Sequence, residues 1–214
     1  MKNIAIFGAG GFGREVACLI NKINQETPTW HLIGFFDDNP KLRHTKNEYG
    51  EVLGGIAELN AWSEPLSVAI AIGNPTSVRK IASKIQNIQI DFPNLLAPKT
   101  IFFDQDNVKF GKGNIICVGC CFSINVHVGD FNTFNSFITI GHDVRIGNYN
   151  SLMPASRLSG EVTLGDENLI GCAAVVLQQL KIGNKTKIGA NSTLMGKTKD
   201  GHTYVGNPAK KMDL

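Results

Sequence analysis

The sequence predicts a small α/β domain followed by a parallel β-helix. Two observations predict it. Fifteen consecutive six-residue units run without insertion from Phe110 to Lys199. Ahead of them, an apolar run at the N-terminus leads into the glycine loop Gly8-Ala9-Gly10-Gly11-Phe12-Gly13. The first domain is placed at residues 1–92, and the coil with its C-terminal tail at residues 93–214.

The apolar run Asn3–Phe7 reads as a strand, and Val16, Leu19, Ile20 and Ile23 follow the glycine loop at helical spacing. Strand, glycine turn and helix N-terminus together offer backbone N–H groups and the positive end of a helix dipole to a phosphate. Gly8, Gly10 and Gly13 are therefore candidate nucleotide-binding positions, with Arg14 a further phosphate contact. A second run, His31–Phe36, ends in Asp37-Asp38, where acidic residues commonly hold a ribose hydroxyl. A third, Ser67–Ile72, ends in Gly73-Asn74-Pro75 ahead of an amphipathic stretch with Val78, Ile81, Ala82 and Ile85. This is a Rossmann-like half-domain. About 95 residues hold one mononucleotide half rather than a full dinucleotide fold, so a nucleotide carried by the substrate fits better than a redox cofactor. The segment Asp91–Lys109 reads as a lead-in in which the repeat has not settled.

The repeat begins each unit with a large apolar residue: Phe110, Ile116, Phe122, Val128, Phe134, Ile140 and so on to Leu194. A period of this kind marks a parallel β-helix in which each unit builds one face of a coil. The residue two earlier also points inward, and there Cys120, Val126, Val144, Ser156, Val162, Ala174, Thr186 and Ser192 are small or β-branched. Three units, or 18 residues, close one coil, so residues 18 apart should stack. Asn114, Asn132, Asn150 and Asn168 then predict an internal amide ladder. Gly111, Gly129, Gly147, Gly165 and Gly183 are assigned to corners, where positive φ is needed.

With 214 residues and a net charge of +3, the chain has no dense Lys/Arg run, and a nucleic-acid partner is not expected. No apolar stretch reaches the length of a membrane span, and the N-terminus lacks a signal-peptide pattern. The five cysteines read as reduced thiols, which points to the cytoplasm. Cys117, Cys120 and Cys121 have no facing cluster, so they are expected to pack, and no metal is expected.

His142 is the catalytic candidate. It stands third in its unit, at a turn, and Asp143 beside it can orient the imidazole. Histidine titrates near neutrality and can take a proton from an attacking amine or hydroxyl. One coil on, the equivalent residue is Gly160, whose missing side chain is expected to leave room beside the imidazole for a ligand.

The glycine-loop domain, the coil with Ile140-Gly141-His142-Asp143, and the tail Val205-Gly206-Asn207-Pro208-Ala209-Lys210 together resemble the bacterial hexapeptide-repeat sugar O-/N-acyltransferases. Within that family the chain is most similar to acetyl-CoA-dependent N-acetyltransferases of nucleotide-linked 4-amino-sugars of the bacillosamine-pathway type, with a related branch that acetylates sialic acid. The resemblance implies a left-handed coil and a homotrimer with active sites between subunits. It implies His142 as general base and Asp143 as its partner, in place of the glutamate frequent in the family. It places Asn135 near the reacting centre, and Gly8, Gly10, Gly13, Arg14, Asp37, Asp38, Gly73 and Asn74 at the sugar-nucleotide site. Ser151, Gly160, Cys172, Ala190 and Pro208 correspond to positions lining the coenzyme A groove. Some members carry a second histidine where this chain has Ser151.

Direct transfer between two bound substrates needs no cysteine nucleophile, and Cys172 has no base beside it in the sequence. A sugar or sialic acid O-acetyltransferase differs only in its hydroxyl acceptor. A γ-type carbonic anhydrase shares the coil but holds zinc with three histidines, whereas the coil here carries only His127 and His142. A non-catalytic nucleotide-binding protein is the alternative from another class.

Overall fold

The computed structural model describes residues 1–212 as two compact units, Met1–Pro98 and the chain from Lys99 onwards. The first is a three-layer α/β unit. Its strands are β1 (Lys2–Phe7), β2 (Trp30–Phe36), β3 (Lys46–Asn47), β4 (Gly50–Gly54), β5 (Leu66–Ile70) and β6 (Ile90–Asp91), in the order β3-β4-β2-β1-β5-β6. All pairs are parallel except β3 with β4. From β1 the chain moves outward through β2 and β4, then returns to the other side of β1 as β5. The strand order thus reverses between β1 and β5, which is where open α/β sheets bind ligands, beyond the carboxyl ends of the strands.

Helix α1 (Gly11–Glu26) forms because Val16, Ala17, Leu19 and Ile20 share one face, and all four are buried. α2 (Ile56–Asn60) buries Leu59, and α3 (Pro75–Lys84) buries Val78 and Ile81. Strands β3, β4 and β6 and helix α2 add to the three strands and two helices expected from the sequence. Their segments are short, and β4 begins and ends in glycine, so neither period is visible over them.

The second unit is a left-handed parallel β-helix with three faces. One face stacks Val108–Phe110, Val126–Val128, Arg145–Ile146, Thr163–Leu164 and Lys181–Ile182. The next stacks Ile115–Ile116, Thr133–Phe134, Ser151–Leu152, Leu169–Ile170, Lys187–Ile188 and Thr203–Gly206. The third runs from Ile101–Phe102 through Cys121–Phe122, Thr139–Ile140, Arg157–Leu158 and Val175–Val176 to Thr193–Leu194. The register is 18 residues throughout the repeat: Thr133 lies on Ser151, Thr139 on Arg157, Arg145 on Thr163. Every first-position residue is buried except the half-buried Phe110, and Phe122 meets Phe102, Phe110 and Phe134 at ring-centroid distances of 5.2–5.5 Å.

The coil is longer than its repeat at both ends. Ile101–Phe102 already pairs with Cys121–Phe122, so part of the expected lead-in is coil. A 3-10 turn at Gln105–Asn107 stretches the spacing from Phe102 to Phe110 to eight residues and hides the period. At the other end Thr203–Gly206 extends a face beyond Lys199 and turns back as an antiparallel hairpin with Ala209–Met212, which covers the last coil edge.

Two ladders run along the coil. The expected inner one is present: Nδ2 of Asn132, Asn150 and Asn168 donates to Oδ1 of the asparagine one coil earlier at 2.9–3.1 Å, and Thr186 N–H donates to Asn168 Oδ1 at 2.8 Å. An outer one alternates acid and amide. Asp130, Asn148, Asp166 and Asn184 each accept, through Oδ1, the N–H of the residue one coil earlier at 2.7–2.9 Å. Alternation keeps like charges from lying in successive coils.

The outer ladder corrects the reading of the glycines. Gly111, Gly129, Gly147, Gly165 and Gly183 are not the positive-φ residues. Those are the fourth residues of each unit, from Gly113 (φ 68°) to Asn191 (φ 54°), and most carry side chains. The second-position glycines exist for close approach: a Cβ at Gly129 would stand 2.4 Å from Asn148 Oδ1 and 2.7 Å from the Gly147 carbonyl oxygen.

Candidate active site

One corner of the coil stacks Ile124-Asn125, His142-Asp143, Gly160-Glu161 and Gln178-Gln179. The backbone fixes the stack: Asp143 N–H donates to Ile124 O at 3.0 Å, and Glu161 N–H to His142 O at 2.8 Å. Asp143 occupies the left-handed corner position (φ 59°), which turns its carboxylate back toward its neighbour. Oδ2 then meets His142 Nδ1 at 2.8 Å. A carboxylate only accepts, so Nδ1 carries a proton, and in the neutral ring Nε2 keeps a lone pair. No described residue hydrogen-bonds Nε2, and the imidazole is exposed.

The Asp143 carboxyl is held below the usual carboxylate range, first by the bond from His142 and next by the Asn125 amide, which donates Nδ2 to Oδ1 at 2.6 Å. Asn125 is the residue that the sequence reading missed; it lies 18 positions before Asp143, so the coil register was the signal for it. Glu161, the next carboxylate in the column, is engaged on its far side by Gln179 Nε2 at 3.3 and 3.4 Å.

Gly160 has a different role from the one expected. A Cβ there would lie 2.5 Å from His142 Nε2 and 2.6 Å from Cε1. The missing side chain makes room for the imidazole itself, which lies along the coil against the glycine.

The remaining coil candidates lie elsewhere. Asn135 turns its carboxamide oxygen to Ser136 N–H at 2.8 Å. Cys172 and Ala190 share another corner column, both exposed, and Asn191 N–H donates to Cys172 O at 2.8 Å. Ser151 is 2% exposed, so its hydroxyl has no open surface in the single chain. Pro208 lies in the turn of the C-terminal hairpin, exposed. Cys120 points into the coil, where burial pushes its thiol up to about 11, and its Sγ contacts Asn135 O at 3.1 Å. Burial also raises Cys121. Among the described residues no group of three or more His, Cys, Asp or Glu side chains converges as a metal would require.

In the first unit the glycines divide by function. Gly8 has φ 113°, and a Cβ there would stand 2.6 Å from the Ala71 carbonyl oxygen. At Gly13 a Cβ would stand 1.9 Å from the Gly8 carbonyl oxygen. Gly8 is thus required where the backbone after β5 passes close by, and Gly13 where α1 lies against the glycine loop. Gly10 faces open space, and as N-cap of α1 it leaves the first-turn N–H groups without a side-chain partner. Asp37 braces this loop, accepting from Ala9 N–H at 2.9 Å and from Asn39 N–H at 2.8 Å. Asp38 accepts from Ile56 N–H at 2.9 Å, at the start of α2. The two aspartates, Asn39, Arg43 and Gly55–Glu58 line a cleft of about 230 Å³, in which Arg43 and Glu58 form an ion pair. Arg14 points to Glu48, at 3.8 Å. Asn74 caps α3 through Ser77 N–H at 3.0 Å, and Gly73 beside it faces open space.

The family described as the PglD N-terminal domain matches residues 3–85. The GDP-perosamine N-acetyltransferase of Escherichia coli O157:H7 is 30% identical over 144 residues, 67% of this chain and 63% of that protein. The match thus spans slightly under two thirds of the curated relative. Among solved structures, the acetyltransferase domain of PglB from Neisseria gonorrhoeae FA1090, in complex with acetyl coenzyme A, is similar at a TM-score of 0.87. It is 26% identical, with 99% of each chain covered. WeeI from Acinetobacter baumannii AYE is similar at a TM-score of 0.88 and 27% identity, covering 99% of this chain and 100% of that one. With a match to the PglD N-terminal domain ahead of a six-residue coil, and likeness over nearly the whole chain to an acetyltransferase domain, this chain is similar in sequence and fold to the bacterial hexapeptide-repeat sugar acyltransferases.

Proposed function

We propose that this protein transfers the acetyl group of acetyl-CoA to the amino group of a nucleotide-linked 4-amino-sugar. The carrying observation is the His142–Asp143 pair: Nδ1 is held at 2.8 Å and Nε2 is left open on an exposed corner. The name of the Escherichia coli relative and the acetyl coenzyme A bound to the Neisseria gonorrhoeae domain support the choice of acceptor and donor.

The chemistry follows from those atoms. The sugar amine attacks the thioester carbonyl carbon, forming the C–N bond as the carbonyl electron pair moves to oxygen. His142 Nε2 takes the amine proton in that step. Collapse of the oxyanion breaks the C–S bond, and the imidazolium returns its proton to the departing thiolate. The products are an amide and free coenzyme A, with His142 restored. Asp143 keeps the imidazole in the right tautomer and favours its protonated form. We assign the nucleotide phosphates to the open N–H groups at Gly10 and the head of α1, beside Gly73 and Asn74, and the nucleoside to Asp37 and Asp38. The coenzyme is assigned to the corner columns of Gly160 and of Cys172 and Ala190, between neighbouring subunits of a homotrimer.

Thiol release from acetyl-CoA, measured against UDP-, dTDP- and GDP-linked 4-amino-sugars, tests this. Turnover with one of them, and none with its 4-hydroxy counterpart, is expected. Turnover on the hydroxyl sugar instead would make the enzyme an O-acetyltransferase, and no release with either class would remove the acetyltransferase reading.

A further inference from the structure

We propose that Asn125 is a positioning residue for His142, fixing the Asp143 carboxylate so that Oδ2 stays on Nδ1 and Nε2 stays directed at substrate. The inference rests on the reading of His142 as the base, but its geometry stands independently. Asn125 and Asp143 occupy the same left-handed corner in successive coils, at φ 54° and 59°. Their side chains leave the coil in register, and Nδ2 reaches Oδ1 at 2.6 Å. A carboxylate held by one oxygen alone would rotate about its last bond. Anchored at Oδ1 by Asn125 and at Oδ2 by Nδ1, it has one orientation, and so has the imidazole.

The surrounding charges set what the amide contributes. Arg145 lies two residues along and stabilises the Asp143 charge; Glu161 lies one coil further, its carboxylate turned to Gln179. Asn125 donates without adding a charge. An aspartate there would supply no donor while ionised and would set a second negative charge beside Asp143. That charge would favour the imidazolium and draw it away from the base form. The column thus places a neutral amide one coil before its two carboxylates and a second one beyond Glu161.

Two variants test this. Asn125→Gly removes the side chain at a corner where glycine is unstrained; Gly113 and Gly119 already serve at equivalent corners. Asn125→Asp keeps the shape and replaces the donor. The first readout needs no substrate: ¹⁵N NMR of the His142 ring in the free protein. The wild type should show the Nδ1–H tautomer at high pH. Asn125→Gly should show a mixture of tautomers, and Asn125→Asp should raise the pH at which the ring protonates. The second readout is kinetic. Outer-shell partners of histidine ligands in metal sites are worth about 10–100-fold, and kcat should fall about tenfold in either variant with both KM values nearly unchanged. The acid limb of the pH profile should move to higher pH in Asn125→Asp only. Unchanged tautomers in Asn125→Gly would overturn the proposal, as would a fall in kcat matched by a general loss of thermal stability. If the wild type acetylates no amino-sugar while the tautomers shift as described, the positioning holds and the proposed reaction fails.

Discussion

His142 has one ring nitrogen held and one open, and substitution separates the two. His142→Ala should lower kcat by about 10²–10⁴-fold, the contribution of a placed general base, with little change in the melting curve because the side chain is exposed. Asp143→Asn should cost less, since an amide can still hold the ring while lacking the charge that favours its protonated form. Cys172→Ala should be nearly silent in steady-state kinetics; loss of turnover there, with His142→Ala active, would require an acyl-cysteine. The folded-state carboxyl of Asp143 lies below its ordinary value because His142 and Asn125 hydrogen-bond the ionised form. A depressed carboxyl contributes stability that is fully present above its unfolded value and is lost only as pH falls through the lower folded one. Any margin of the wild type over Asp143→Asn in scanning fluorimetry should therefore persist from neutrality to about pH 4 and close only below it. A margin closing near pH 6 would assign it to another group.

At the scale of elements, the inner ladder and the glycine loop make opposite predictions. Asn150 accepts from both the backbone N–H and Nδ2 of Asn168, at 2.9 and 3.0 Å, and donates to Asn132. Asn150→Ala leaves buried polar groups of two coils unpaired, each worth about 1–3 kcal/mol, and urea unfolding should show a loss of about 3 kcal/mol. Gly10→Val, by contrast, adds a side chain to open space. It should leave stability nearly intact and raise the KM for the sugar nucleotide while sparing that for acetyl-CoA; equal damage to both constants would put the coenzyme at the glycine loop instead. The inner ladder was legible in the sequence because asparagine recurs every 18 residues, and strict stacking turns a period into a contact. The left-handed corner was not. Its fourth positions hold Asn125, Phe131, Phe137, Asp143, Tyr149 and Glu161, a mixture without compositional signature, because the coil imposes φ on whatever residue stands there. The His142–Asp143 pair was legible as neighbours in sequence. The role of Gly160 was not, because a missing side chain does not say whether a ligand or the imidazole fills the space.

For the whole molecule, the coil carries an apolar surface that a single chain leaves in water. Ile101 lies on the first strand of one face and Phe103 just after it, Val118 and Phe137 lie at the corner before that face, and Ile124 at the corner after it; all five are exposed, Phe103 at 71% and Phe137 at 65%. Monomeric proteins rarely keep large exposed apolar patches. The face these residues surround runs between the corner of His142 and the corner of Cys172, the two columns assigned to the reaction and the coenzyme. Closure about a threefold axis would cover the patch and bring the first column of one subunit beside the second of its neighbour. Light scattering should then give about three times the 23.2 kDa of one chain. Phe137→Glu adds a charge where the ring now lies over Gly119, and should dissociate the trimer and abolish turnover together without unfolding the coil. Ile88→Glu, at a position 94% exposed in the first unit, should change neither. An active monomer, in the wild type or in Phe137→Glu, would place the whole active site within one chain and would sink the trimer with it.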